Sequence, residues 1–275
     1  MKELTLKELQ DFELDILKDV HDFCVKNGIK YSLCGGTLIG AIRHQGYIPW
    51  DDDIDIMMPR PDYEKFFQYY KSNKYVAVNN SVDKKCFTAF GRVCDKEKTV
   101  AVSRIPWCTS NNYGVFIDVF PADGFPEKEI EQSAAYLKNH KLLNDIVDRR
   151  RALSKFDKKI SMKANLMLAI RKLRYLFGVR TSYYTQKLVK ENKKIKFGET
   201  GLWATISHVV NPKTKKHFPI STFDHCDLYR FEDAEFFVMC GYDEVLRSSY
   251  GDYMQLPPEE KRKPLMQAYI HFFWK

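Results

Sequence analysis

The chain has 275 residues, 44% of them hydrophobic, enough to bury a full core in one large domain or two small ones. Charge interrupts every apolar stretch well short of the roughly 18 residues a membrane-crossing helix needs, and the N-terminal MKELTLKELQ lacks the apolar centre of a signal peptide, so a cytoplasmic enzyme is expected. The net charge of +8 hides an asymmetry: residues 149–198 carry sixteen Lys or Arg against Asp157 and Glu191, a local +14 that leaves −6 on the remainder.

Thr5 and Glu8 form a capping box, and Leu9, Phe12, Ile16, Leu17 and Val20 recur at helical spacing, which predicts an amphipathic helix over about 5–26. A short buried strand at 29–34 leads into Gly35-Gly36-Thr37, a second helix at 38–44, and an alternating strand at 51–58 closed by Pro59. A helix at 61–70 and strands at 75–78, 87–94 and 115–120 complete a mixed α/β unit. Basic helices are expected from 127 to 197, including one at 162–175, and short elements beyond 200. The organisation read from this is a catalytic core at 1–126, a basic helical region at 127–198, and a C-terminal region at 199–275 packing on the core. Seven cysteines lie scattered without a C-x-x-C pair, which suits reduced, mostly buried thiols.

Side chains alternate along a strand, so Asp53 and Asp55 project to one side while Ile54 and Ile56 turn to the core. Adjacent carboxylates repel, and a hard divalent cation, Mg²⁺ or Mn²⁺, would relieve that repulsion. Asp118 sits alone in the apolar run Phe116-Ile117-Asp118-Val119-Phe120, where a lone buried carboxylate is costly unless it reaches the same cation. The competing interpretation is a solvated acidic turn with Asp118 capping nearby backbone. Gly35, Gly36 and Thr37, between strand and helix, suit close backbone approach to a phosphate, although Gly-Gly-Thr alone is a common string.

Three blocks, GGTLIGAIRHQGYIPWDDDIDIMMPRPDYEKF, YGVFIDVFPADGF and GYDEVLRSSYGDYMQLPPEEKR, resemble in order the LicD family, to which fukutin-type transferases are similar. The resemblance implies an α/β (α+β) fold: a nucleotidyltransferase-like mixed sheet with flanking helices, carrying here a helical, basic insertion. It also implies transfer of a phospho-alcohol, most often phosphocholine from CDP-choline, to a hydroxyl of a cell-surface glycan or its lipid-linked precursor. By motif position Asp53, Asp55 and Asp118 match the family's metal-binding and catalytic acids, Gly36 and Thr37 its donor-phosphate loop with Gly35 beside them, and Asp51 its acidic run in a supporting role. Within that frame Arg43 and Arg92 are candidate phosphate clamps, with surface ion pairs as the alternative. Trp50 is the candidate aromatic face for a quaternary ammonium, ahead of Tyr47 and Trp107. His44 is weighed as an acid–base group against a structural role, and His217, Asp224, His225 and Cys226 as metal ligands whose spacing fits no four-ligand pattern. The basic region has two further interpretations, an anionic membrane surface or a solvated helix face; no nucleic-acid module accompanies it. Two other functions stay open: a nucleotidyltransferase acting on a small alcohol, and a non-catalytic glycan- or nucleotide-binding protein.

Overall fold

The capping box forms as written: Thr5 Oγ1 accepts from the Glu8 backbone N–H, and the Glu8 carboxylate accepts from that of Thr5. Helix α1 (Leu6–Asn27) then runs until Gly28, whose φ of 59° supplies the left-handed stop. Its Leu9, Ile16, Leu17 and Val20 are fully or almost fully buried, each contributing about 1.5–3 kcal/mol of transfer free energy. The computed structural model describes residues 1–103, 105–108, 113–154, 161–178, 180–207, 217–266 and 270–275.

Seven short strands make one mixed sheet: β1 (Ser32–Leu33), β2 (Asp55–Pro59), β3 (Tyr75–Val78), β4 (Gly91–Asp95), β6 (Phe116–Phe125), β7 (Leu202–Ala204) and β8 (His217–Pro219). The order is β1-β2-β6-β4-β3, with β7 and then β8 added along the far half of β6. Strands β2 and β6 are parallel, and the other pairs are antiparallel. Strand β5 (Thr99–Ser103) pairs with β11 (Ile270–Trp274), and β9 (Cys226–Phe231) with β10 (Ala234–Met239). Helices α2 (Gly35–Ile39), α3 (Arg60–Tyr69), α4 (Glu129–Ala152), α5 (Met162–Leu176), α6 (Thr181–Asn192) and α7 (Tyr242–Tyr250) complete this α+β fold, and α2 continues as a π-helical turn, Gly40–His44.

Several boundaries differ from expectation for identifiable reasons. Strand 29–34 narrows to Ser32–Leu33, since only these two find ladder partners, Met57 and Ile56. The second helix starts at Gly35 because the Leu38 N–H already bonds the Cys34 carbonyl, so Gly35-Gly36-Thr37 is its first turn. Residues 51–54 carry no ladder, and β2 begins only at Asp55. Strand 115–120 extends to Phe125 because β7, from much later in the chain, pairs with Asp123–Phe125. Of the basic region, residues 155–160 and 179 lie outside the described residues, as does the Arg174 side chain. Helices α4 and α6 fold onto the core: Leu142, Ile146 and Leu188 pack with Ala89, and Thr185 Oγ1 donates to the Phe87 carbonyl at 3.1 Å.

Candidate active site

Three strands set the charged side chains in one row. Asp55 opens β2, Asp118 is its direct partner on β6, and Arg92 on β4 is the partner of Asp118 on the other side. Arg92 Nε donates to Asp118 Oδ1 at 2.6 Å, and the Arg92 guanidinium lies 3.9 Å and 4.3 Å from the ring centroids of Phe116 and Trp107. Asp53 precedes Asp55 by two residues with fully buried Ile54 between them, so the expected alternation holds.

This row is short of positive charge. Burial, and after it the charges of Asp51 and Asp118, push the Asp53 carboxyl up to about 8. Burial and Asp52 push Asp51 up to about 6. Burial followed by Asp53 and Asp118 raises Asp55 well above the usual carboxylate range. Asp118 is also raised by burial, against the downward pull of Arg92. Carboxylates that hold one another's protons on form a ready site for a divalent cation, and an all-oxygen donor set suits Mg²⁺ or Mn²⁺. The residues present therefore fit such an ion. Asp52 does something else: its Oδ1 accepts from the Leu265 and Met266 backbone N–H groups, each at 3.0 Å, anchoring the C-terminal segment.

The start of α2 is shaped around these acids. A Cβ on Gly35 would lie 2.8 Å from Asp55 Oδ2, and one on Gly36 would lie 2.5 Å from Asp51 Oδ2. Glycine is required there so that backbone and carboxylate can touch. Thr37 Oγ1 accepts from the Asp55 N–H at 2.9 Å, and the Cys34 N–H bonds the Asp55 carbonyl at 3.1 Å. Gly35, Gly36 and Thr37 thus position the acids as well as facing the site.

The remaining candidates separate. Arg43 spends its donors on the Tyr253 and Gln255 carbonyls and on His44, tying the π turn to the segment after α7. His44 takes that contact, and burial lowers its pKa, with Arg43 adding to the shift. Trp50 is half-buried, and Arg262 lies 5.8 Å from its ring centroid. Tyr47 is buried, donating to the Gln10 carbonyl at 2.9 Å. His217 stacks on Phe125, while His225 pairs with Asp227.

Three groups near the acids escaped the sequence analysis. Glu13 of α1 is fully buried, its carboxyl raised by burial and by the Asp51–Asp55 charges, and its Oε1 has no hydrogen-bond partner. Arg150, in the last turn of α4, donates to the Pro106 and Ile105 carbonyls; burial and neighbouring Arg92 lower it to about 10. Arg92 keeps a buried Nη1 with no partner. Tyr250 closes α7, where loss of water around its hydroxyl and then the Asp55 charge push its phenol up. Helical spacing accounts for Glu13 as a turn of α1, Tyr250 lies in the last of the three family-like blocks without standing out in it, and no local pattern marks Arg150. A cavity of about 800 Å³ between α3 and α6 is lined by none of Asp51, Asp53, Asp55 and Asp118.

Fold and site together define an α+β protein whose carboxylates converge where two parallel strands begin. A family profile described as "LicD/FKTN/FKRP, nucleotidyltransferase domain" matches residues 28–163. The chain belongs to the LicD family. It is 32% identical over 287 aligned positions to the lipopolysaccharide cholinephosphotransferase LicD of Haemophilus influenzae, spanning 98% of this chain and all of that protein. Uncharacterized proteins of Rickettsia typhi and Rickettsia prowazekii match over 42% and 46% of the chain, at 33% and 32% identity, covering 35% and 45% of their own lengths.

Proposed function

We propose that this protein transfers phosphocholine from CDP-choline to a hydroxyl of a cell-surface glycan, or of its lipid-linked precursor, and releases CMP. The observation that carries the proposal is the Asp53, Asp55 and Asp118 cluster, with Asp55 and Asp118 in direct register and all three carboxyls raised. Full-length similarity to a lipopolysaccharide cholinephosphotransferase supports the choice of group and acceptor class. The same site is assigned as cytoplasmic-side chemistry in peripheral contact with an anionic membrane.

The acceptor oxygen attacks the distal phosphorus, the bond from that phosphorus to the bridging oxygen breaks, and CMP departs with the electron pair. Mg²⁺ or Mn²⁺ held by Asp53, Asp55 and Asp118 supplies neutralisation of the diphosphate and of the departing CMP. Arg92 holds Asp118 in place and has one donor, Nη1, left for a phosphate oxygen. Asp118 takes the acceptor's proton. Gly35, Gly36 and Thr37 keep the α2 backbone close enough for its N–H groups to meet the donor phosphates, and the Trp50 face is assigned to the choline ammonium.

The test is incubation with a panel of CDP-alcohols, Mg²⁺ and a hydroxylated glycan acceptor, followed by chromatography and phosphorus NMR. CMP release greatest with CDP-choline, together with a new phosphodiester on the glycan, is the expected result. Pyrophosphate and a nucleotidylated alcohol, from a nucleoside triphosphate, would establish nucleotidyl transfer instead. Tight binding without turnover would make this a binding protein.

A further inference from the structure

Helix α5 turns its apolar side outward. Positions 162, 166, 169, 170, 173, 176 and 177 fall on one helical face, and Met162 is 89% exposed, Leu166 62%, Leu173 58%, Leu176 75% and Phe177 87%. The helix meets α4 with a polar contact, Arg171 Nε donating to Asp148 at 3.0 Å. A helix lying on a protein core shows the reverse arrangement, and monomeric proteins rarely leave so long a run of large apolar side chains in water. Lys163, exposed in the first turn, lies at the edge of the stripe, and Arg180 just ahead of α6 and Lys187 along it are further exposed cations of this region. No described helix is long and apolar enough to cross a membrane.

We propose that α5 is a docking helix that lies flat in the headgroup layer of an anionic bilayer, its apolar stripe inserted and the nearby cations on lipid phosphates. Charge selects the occupant. Residues 149–198 carry a net +14, so pairing α5 with a second copy of this chain would bring two strongly cationic surfaces together, whereas an anionic lipid surface complements both the stripe and its rim. The docking face also connects to the acids. Asp148, which holds α5, lies two residues before Arg150, whose guanidinium feels the charges of Arg92 and Asp118. Two residues span about 200° of helix, so α5 and the acid site lie on different sides of α4. A lipid-carried acceptor rests on the proposed function, while the docking itself does not.

Co-sedimentation of the full chain with phosphatidylcholine vesicles, with and without phosphatidylglycerol, tests the proposal. Binding is expected to require phosphatidylglycerol, to weaken as salt screens the headgroups, and to fall roughly fivefold or more on Lys163→Glu. The triple variant Leu166→Ser, Leu173→Ser, Phe177→Ser is expected to lose at least about tenfold in binding while keeping its melting temperature and its CMP release with a water-soluble acceptor. These residues are exposed, so the fold does not depend on them. Equal binding to pure phosphatidylcholine, no binding at low salt, or unchanged binding by the triple variant would overturn the proposal. So would a dimer that the same triple substitution dissolves, because a second copy would then cover the face. Vesicle binding without any CMP release would leave the docking helix standing and remove the proposed function.

Discussion

Asp55 and Asp118 stand side by side as register partners on the parallel strands β2 and β6, and Arg92 holds the second of them from β4. Parallel strands need a long crossover, and here α3, β3, β4 and β5 lie between the two in sequence. The three charges lie on three strands, Asp55 between buried Ile54 and Ile56, Asp118 between buried Ile117 and Val119, and Arg92 next to buried Val93, which fixes their spacing more tightly than a loop would.

Asp53→Asn and Asp55→Asn are each expected to lower turnover by about a hundred- to a thousandfold, because each removes a charged oxygen donor from the cation site. Circular dichroism should stay near wild type, and the metal-free urea midpoint at about pH 8 should rise, since each substitution removes a buried carboxyl that its neighbours repel. Retention of more than a tenth of wild-type turnover in either variant would contradict the assignment.

The raised carboxyls predict a pH dependence in metal-free protein. An acid whose folded pKa lies above its unfolded value gives stability that is complete below the unfolded pKa and is lost as pH rises to the folded one. For Asp53 that window runs from about 4 to about 8, and for Asp51 from about 4 to about 6. Melting temperature without metal should therefore fall between pH 5 and about pH 8. Mg²⁺ should restore more of it at the upper end, where protons no longer compete for the carboxylates. Glu13→Gln, which cannot ionise, should raise the metal-free melting temperature at about pH 8 and change little at pH 5. A melting temperature that climbs with pH in wild type would refute this account.

Much of this arrangement was visible in the chain itself, and the limits have physical causes. The capping box, the Asp53–Asp55 alternation and the apolar run around Asp118 are local patterns, and each appears where expected. What stayed hidden depends on distant partners. Arg150 lies in a basic helix whose sequence looks like solvated surface, and only the packing of α4 brings it to Arg92. Cys86 and Cys108 looked like separate thiols, yet a single antiparallel bridge sets their sulfurs 2.7 Å apart. The roles of Thr37 and Asp52 as backbone acceptors were invisible because their donors, Asp55 and Leu265–Met266, are fixed by tertiary structure.

Arg150→Met should act on the donor rather than on the chemistry. Its guanidinium feels both Arg92 and the Asp118 carboxylate, which makes it a second cation beside the acids to which a diphosphate oxygen would be drawn. KM for CDP-choline is expected to rise about tenfold or more with kcat changed less. Arg92→Lys should cost more, since an ammonium can neither hold Asp118 through Nε nor stack between Phe116 and Trp107. Equal losses in kcat for both variants would place them in the reaction step instead.

A second buried pair serves as the control that separates stability from catalysis. Arg60 donates to both oxygens of Asp123, at 2.6 Å and 2.8 Å, with both side chains almost fully buried. Burial pushes the Asp123 carboxyl up, Arg60 opposes it, and Glu64 adds a smaller upward push. Removing one partner strands the other charge, so Arg60→Met should cost about 3–5 kcal/mol at neutral pH, read from the urea midpoint. Replacing both by apolar residues, Arg60→Met with Asp123→Leu, should recover most of that loss, because desolvation of the pair consumes much of its attraction. In the single variant Asp123 loses its cation and its pKa climbs further above the unfolded value. Its destabilising ionisation is then absent at low pH and grows as pH rises, so the gap from wild type should narrow toward pH 5 and widen toward pH 8. A gap independent of pH would mean that the loss comes from the contact of the Arg60 guanidinium with the Tyr63 ring rather than from the stranded charge.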